Sequence, residues 1–161
     1  GEWKIGSAIV RAQPVNHRGP TLGYRVQDGD VSVCYIPDHE PGVGTPVSEL
    51  ADEWIPALEL ARDASLLIHD CQYTDDEYRE HVGWGHCAVG DALEFARRAH
   101  AGNVLLFHHD PMHSDEFLDA LAQEVGPRWA ALGGNPAQVE LATERRELTL
   151  SLPATTAAAS T

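Results

Sequence analysis

Histidine and aspartate residues follow several short apolar segments, at the points where strands are expected to end. The apolar run at residues 104–107 is followed directly by His108, His109 and Asp110. Because α/β sheets place their sites at the carboxyl ends of strands, imidazoles at such an end are a natural way to hold a metal ion. A similar break, with His, Asp or both, occurs in residues 16–20, 36–40, 68–71 and 84–87. One such segment would mean little, but their recurrence predicts a metal site.

The side chains in these segments suit particular ions. His17, Asp38, His86 and His108 offer imidazole and carboxylate groups, which bind borderline-hard ions such as zinc, manganese or iron. An aspartate can also bridge two ions while imidazoles fill the remaining positions. We therefore interpret this set as a candidate centre for one or two divalent ions.

The composition narrows the class of protein. With 161 residues, 43% of them hydrophobic, the chain is the size of one domain with a real core. The 25 acidic and 11 basic residues give a formal net charge of −14, which repels a nucleic-acid backbone unless positive charge is focused locally. Since no run of Lys or Arg provides such a patch, we expect a small anionic substrate rather than nucleic acid.

Cysteine usage and hydropathy predict a soluble cytoplasmic protein. Cys34, Cys71 and Cys87 are an odd number without Cys-x-x-Cys spacing, so neither a disulfide framework nor a structural zinc knuckle is indicated. The sequence has no apolar stretch of about 18 residues that could span a bilayer. It also lacks a basic and apolar N-terminus that would direct secretion.

The first part of the chain has the pattern of strands. Residues 8–15 can form one strand, and residues 21–26 and 31–36 a hairpin. Asp28 and Gly29 lie between the hairpin strands, and this pair favours a tight turn that requires positive φ.

Helices and strands alternate in the remainder. Residues 48–64 have a helical pattern that Pro56 should kink or divide, with an apolar face formed by Leu50, Trp54, Leu58 and Ala61. A strand is predicted at residues 65–69, a helix at 88–99 ended by Gly102, and the strand at 104–107. Ser114 is the predicted N-cap of a third helix, with Asp115 and Glu116 in its first turn. Terminal strands are predicted from the alternation of Val139 and Leu141 and of Leu148, Leu150 and Leu152.

This order predicts a mixed α/β layer with its polar loops along one edge. We assign residues 1–152 to this layer. Residues 153–161 form an Ala/Thr/Ser tail that has nothing to bury and is expected to be disordered.

The ordered set of motifs resembles the second half of a metallo-β-lactamase-fold hydrolase, over roughly residues 8–111. The nearest branches contain RNase Z and the phosphoribosyl cyclic phosphodiesterases. The matching segments are His17-Arg-Gly-Pro-Thr-Leu-Gly-Tyr-Arg, Tyr35-Ile-Pro-Asp38, Leu66-Leu-Ile-His-Asp70, Gly85-His86-Cys and Leu106-Phe-His108. The resemblance implies an α/β fold, namely the C-terminal half of a four-layer αββα sandwich in which helices flank a mixed sheet. It also implies a metal-dependent hydrolase, specifically a phosphodiesterase that cleaves a small phosphodiester with metal-activated water.

The resemblance assigns roles to individual residues. His17, Asp38 and His108 match metal ligands of two divalent ions, most simply zinc, with manganese or iron as alternatives. His108 matches the ligand better than His109 because the preceding apolar run sets the register. His86 matches a catalytic histidine that stabilises phosphoryl oxygens or protonates the leaving group, although Cys87 replaces the usual serine.

Three further residues are expected to support the ligands. His69 and Asp70 match a His-Glu pair that orients ligands in the family, and His109 could hydrogen-bond beside them. For His69, a buried histidine with satisfied hydrogen bonds is an equally good interpretation. His39 and Glu40 could line the entrance, whereas His81, His100 and His113 are interpreted as surface residues.

The family's signature His-x-His-x-Asp-His does not occur in these 161 residues. We expect it upstream of Gly1 or on a complementary chain, so that His17, Asp38 and His108 form only half of a dinuclear site. The alternatives are a non-catalytic metal-binding or assembly half-domain, a site with three protein ligands and an open water position, and an ester or lactone hydrolase of the same fold. A half-sandwich would expose an apolar sheet face, which predicts association, including homo-oligomers.

Overall fold

The computed structural model describes residues 1–150 and contains one seven-stranded sheet whose strands are adjacent in chain order. The strands are β1 (Glu2–Ile5), β2 (Ala8–Pro14), β3 (Leu22–Asp28), β4 (Val31–Ile36), β5 (Leu66–Asp70), β6 (Val104–Phe107) and β7 (Val139–Leu141). Strands β1 to β4 pair antiparallel, and β4 to β7 pair parallel. The predicted mixed sheet is therefore confirmed, with one additional strand, β1, that the sequence patterns did not predict.

The hairpin between β3 and β4 has the predicted tight turn. Asp28 pairs with Val31, and Gly29 has a φ of +58°, which a residue without Cβ adopts without strain. This turn fixes the register of β4, and β4 in turn carries the chain toward Asp38.

Residues 1–150 contain four α-helices: α1 (Leu58–Ala61), α2 (Asp75–Tyr78), α3 (Val89–Arg98) and α4 (Asp115–Ala131). Helix α3 confirms the prediction for residues 88–99. Helix α4 begins as predicted, since the Phe117 N–H donates to the Ser114 hydroxyl at 3.3 Å. Pro127 lies inside α4.

The predicted helix at residues 48–64 is largely wrong. The segment forms two 3₁₀ turns, Val47–Glu49 and Asp52–Trp54, before the single turn of α1. Pro56 has no backbone N–H to donate a helical hydrogen bond, and Ala57 has a φ of +59°. A continuous helix therefore cannot pass through these two residues. As a result Trp54 is 73% exposed instead of packing on the predicted apolar face.

The two faces of the sheet have different surroundings. Leu67 and Leu106 point toward the helices, where they join a fully buried core with Leu93 and Phe95 of α3. On the opposite face, the cross-strand pairs place large apolar side chains side by side, and many remain partly exposed: Trp3, Ile5, Leu22, Tyr24, Val26 and Tyr35. We call these six residues the bare face. A sheet of this kind buries one side in its own core and leaves an apolar surface available for another layer.

The predicted strand near the C-terminus is not formed where the structure describes it. Leu148 and Leu150 lie outside any strand, while Leu152 and the predicted tail at 153–161 fall outside the described residues. Cys34, Cys71 and Cys87 are buried free thiols. Within residues 1–150, no helix has the length and hydrophobicity needed to cross a membrane.

The bare face predicts that the chain self-associates when nothing else covers it. Replacing Tyr24 by glutamate places a charge among apolar neighbours and should shift the protein toward monomer, as measured by size exclusion with light scattering. Trp54→Glu is the matched control, because Trp54 is exposed outside the bare face. A parent chain that is monomeric at all concentrations would contradict this expectation.

Candidate metal centre

Four side chains converge where β4, β5 and β6 end. Each of Asp38, Asp70, His86 and His108 offers one potential ligand atom, and these atoms all lie within 4.8 Å of one another. Asp38 follows β4, Asp70 is the last residue of β5, His108 follows β6, and His86 lies just before α3. The parallel pairing of β4, β5 and β6 brings these ends to one edge, as the sequence predicted.

The backbone turns sharply at His108 to bring its imidazole into the cluster. His108 has a φ of +63°, a left-handed conformation that costs about 1–3 kcal/mol for a residue with a Cβ. In this conformation Nδ1 lies 3.2 Å from Asp38 Oδ1 and 3.7 Å from Asp70 Oδ2. The carboxylates of Asp70 and Asp38 raise the pKa of His108.

Asp70 is the buried anion at the centre of the cluster, with no exposed surface. Its carboxylate accepts hydrogen bonds from the backbone N–H groups of His39, Gln72 and Cys87 at 3.0, 3.1 and 3.2 Å. The imidazole Nδ1 of His86 lies 2.8 Å from Asp70 Oδ2. Burial would raise the pKa of Asp70, but the neighbouring His108 and His86 side chains and the hydrogen bond from the His39 N–H outweigh it and lower the pKa. Asp70 is therefore a carboxylate that orients His86.

His17 lies beside this cluster rather than among its four members. Its ring centroid is 5.1 Å from that of His86. The Gly19 N–H donates to His17 Nδ1 at 3.3 Å, and the Thr21 hydroxyl lies 3.0 Å from the same atom. These contacts occupy Nδ1 and leave Nε2 as the nitrogen available to a ligand. Gly85, at φ +94°, packs so closely on His17 that a Cβ would collide with its ring.

Glu40 connects the loops that carry His17, Asp38 and His86, and the sequence analysis missed this role. The carboxylate accepts hydrogen bonds from the Tyr78 hydroxyl and from the N–H groups of Gly83 and Gly85, each at 2.7 Å. The backbone of Glu40 also exchanges hydrogen bonds with Asn16. The expectation that Glu40 and His39 line the entrance is wrong, because both are buried. A charged residue two positions after Asp38 gave no sequence signal that distinguishes a buried anchor from a surface residue.

His69 and His109 lie where they do not touch the predicted ligand side chains. His69 is fully buried, and its Nδ1 and Nε2 lie 2.8 Å from the Asp70 carbonyl oxygen and 3.0 Å from His39 Nδ1. These contacts favour the interpretation as a satisfied buried histidine. The ring nitrogens of His109 have no hydrogen-bond partner in the described residues, and the side chain lines a groove with Leu118 and Leu141. The expected support from His109 is therefore not seen, since the chain reverses at His108 and directs the next side chain away.

Two of the three histidines interpreted as surface residues are instead packed. His81 stacks on Tyr73 with ring centroids 4.3 Å apart. His113 Nε2 lies 2.9 Å from Glu77 Oε1, and its ring stacks on Phe117. Only His100 is exposed.

The donor set fits a divalent metal. His108 Nδ1 is buried without a hydrogen-bond partner among residues 1–150, although it faces two carboxylates, as expected for a nitrogen whose partner is an ion. Mixed imidazole and carboxylate donors suit zinc, manganese and iron. His17, Asp38, Asp70, His86 and His108 are the residues able to hold such ions, and which of them are ligands and which are supporting residues stays a prediction.

A family model described as "Beta-lactamase superfamily domain" matches residues 2–109. Because this match covers more than half of the chain, the protein belongs to the β-lactamase superfamily, as the motifs predicted. Ribonuclease Z of Mycobacterium sp. (strain KMS) is 30% identical over 151 residues, spanning 86% of this chain and 45% of that protein.

Solved structures show the same fold. YhfI from Bacillus subtilis, a metallo-β-lactamase fold protein, is 21% identical with a TM-score of 0.64, over 88% of this chain and 48% of that chain. The short form of human tRNase Z is 18% identical with a TM-score of 0.64, over 93% of this chain and 46% of that chain. The chain thus spans about half the length of these relatives.

His108 and His109 can be distinguished by metal binding. Replacing His108 by alanine should weaken zinc binding by at least about tenfold, since even residues that only support ligands contribute about 10–100-fold. His109→Ala should weaken it much less, because His109 lies outside the cluster. Isothermal titration with zinc measures both, and the reverse order would show that the wrong histidine was chosen.

Replacing Glu40 by glutamine tests its role as an anchor. The amide has one acceptor oxygen and presents an NH₂ group to N–H donors, so we expect a loss of about 1–3 kcal/mol in the free energy of unfolding. Zinc affinity should fall as well, because the loops of His17 and His86 lose their common partner. Glu124→Gln, exposed on α4, is the control, and equal denaturation midpoints for the two variants would contradict the role.

Proposed function

We propose that the protein is a metal-dependent hydrolase that acts on a small phosphodiester. The single observation that carries this proposal is the position of His86. Its imidazole contacts the buried Asp70 carboxylate and lies in the same cluster as Asp38 and His108. Such an arrangement combines a site for divalent ions with an oriented imidazole for proton transfer. Membership of the superfamily and the resemblance to Ribonuclease Z support the same reaction class.

The residues of this chain have distinct tasks in the reaction. When bound, divalent ions would acidify a water molecule and offset the negative charge of the phosphoryl oxygens. Asp70 holds His86 Nδ1 and leaves Nε2 to face the reacting group. As the water oxygen attacks phosphorus and the bond to the leaving oxygen breaks, a protonated His86 can transfer its Nε2 proton to that oxygen. Asp38, His17 and His108 are proposed to hold the ions.

A small phosphodiester fits the charge of this chain better than a long nucleic acid. The formal net charge of −14 opposes a polyanion that must contact many positions of the surface. A small anion needs compensation only at the site itself, where metal ions can supply it.

We propose that a complementary layer completes the site. No His-x-His-x-Asp-His motif occurs in the 161 residues, and the bare face leaves one side of the sheet uncovered. A second sheet on this face, from the same longer protein or from a partner chain, would bury these apolar side chains and bring the remaining ligands and a general base for the attacking water. Cytoplasmic residence is likewise proposed, on the basis of the free buried thiols.

Hydrolysis of bis(p-nitrophenyl) phosphate by the complete, metal-loaded protein tests the proposal. We expect His86→Asn to lower kcat by about 100-fold, within the range of about 10²–10⁴ for general acid–base catalysis, without a change in metal content by elemental analysis. The control is His100→Asn, since His100 is exposed and its positive φ suits asparagine.

Two outcomes would contradict this assignment. Loss of metal from His86→Asn would make His86 a ligand rather than the proton donor. Absence of hydrolysis by the complete protein, with metal bound, would favour the alternative of a non-catalytic metal-binding half-domain.

A further inference from the structure

Arg18 and Trp84 form an exposed pair beside the metal centre. The guanidinium carbon of Arg18 lies 5.8 Å from the centroid of the Trp84 ring, within the range of a cation–π contact. Arg18 follows His17, and Trp84 precedes Gly85 and His86 in the chain. The two loops are in contact, since a Cβ on Gly85 would collide with the His17 ring and approach the Arg18 N–H.

The charge of Arg18 is not neutralised by a carboxylate in the described residues. The arginines with ion pairs are Arg11, Arg62, Arg79, Arg97, Arg98, Arg128 and Arg146. Arg25 instead donates to backbone carbonyls and to Ser32. Arg18 is therefore an available cation in a strongly acidic chain, and it lies next to a proposed metal ligand.

Trp84 is anchored by its neighbours although it is 50% exposed. The N–H groups of the residues on either side of it, Gly83 and Gly85, both donate to Glu40. The indole also contacts His81, with ring centroids 4.9 Å apart, and His81 stacks on the buried Tyr73. A large aromatic side chain is thus presented to solvent at a fixed position near His86, which is the arrangement expected of a stacking surface for a flat ligand.

We propose that Arg18 and Trp84 form a subsite that selects nucleoside phosphodiesters. A planar base would stack on the indole, and the guanidinium would attract the phosphate charge or hydrogen-bond to the ring substituents. This inference rests on the proposed hydrolase function and adds the class of substrate. The subsite would bind only one nucleoside, so the proposal is compatible with an acidic surface that repels a long nucleic acid.

Two substrates with the same leaving group isolate the subsite. Thymidine 5′-(p-nitrophenyl phosphate) and methyl p-nitrophenyl phosphate both release p-nitrophenol, but only the first carries a base. With the complete, metal-loaded protein we expect kcat/KM to be about tenfold higher for the thymidine substrate, since stacking of one base contributes about 1–3 kcal/mol.

Variants assign this preference to the pair. Trp84→Ala and Arg18→Ala should reduce the ratio of the two kcat/KM values toward one, while Trp84→Phe should retain most of it. Trp54→Ala and Arg97→Ala are matched controls, because Trp54 is exposed on a 3₁₀ turn and Arg97 lies at the far end of α3 from His86. A ratio near one in the unaltered protein, or equal losses on both substrates in Trp84→Ala, would overturn the subsite and leave the hydrolase proposal intact.

Binding of the reaction product tests the subsite without turnover. Thymidine 5′-monophosphate should bind about tenfold more tightly than methyl phosphate in isothermal titration, and Trp84→Ala should remove the difference. If the protein hydrolyses neither substrate yet binds the nucleotide through Trp84, the hydrolase proposal fails and the subsite stands. Equal binding of the two phosphates overturns the subsite, whatever the activity.

Discussion

The burial of the Asp70 carboxylate is the constraint on which the geometry of the site depends. A carboxylate without solvent contact is costly unless hydrogen bonds compensate it, and Asp70 obtains them from three backbone N–H groups on three segments of the chain. These bonds draw the loop after β4, the turn after β5 and the segment before α3 to one point. His86 and His108 then face the same anion, so the arrangement that stabilises Asp70 also brings together the side chains that we propose to bind metal.

Glu40 extends this principle to the outer part of the site. It is a second buried carboxylate, and its donors belong to the loop that presents Trp84 and His86 and to α2. Within residues 1–150 neither anion is paired with Lys or Arg; their partners are backbone N–H groups, the Tyr78 hydroxyl for Glu40 and the His86 imidazole for Asp70. Arg18, which has no carboxylate partner in the described residues, is the cation that we propose for a ligand.

The sequence predicted the parts of the fold that depend on local pattern. Alternation, the Asp28-Gly29 turn and the Ser114 cap gave β3, β4 and the start of α4, because each depends on neighbouring residues. The strand ends also gave Asp38 and His108, since the parallel pairing of β4, β5 and β6 brings them together. The sequence could not give the conformations of Ala57 and His108, because positive φ values are uncommon for these residue types and no local pattern indicates them. Nor could it show that Glu40 is buried or that His109 points away, because both depend on loops that meet only in the folded chain.

The most direct test of a metal centre built around Asp70 is the anomalous diffraction of crystals grown with zinc. We predict a peak about 2.0–2.2 Å from a His108 nitrogen and from a carboxylate oxygen of the cluster, with His17 Nε2 and His86 as its neighbours. A peak at another cluster, such as His113 with Glu77, would contradict it. So would a cluster without a peak in which His108 Nδ1 stays beside Asp38 Oδ1 at its present distance of 3.2 Å.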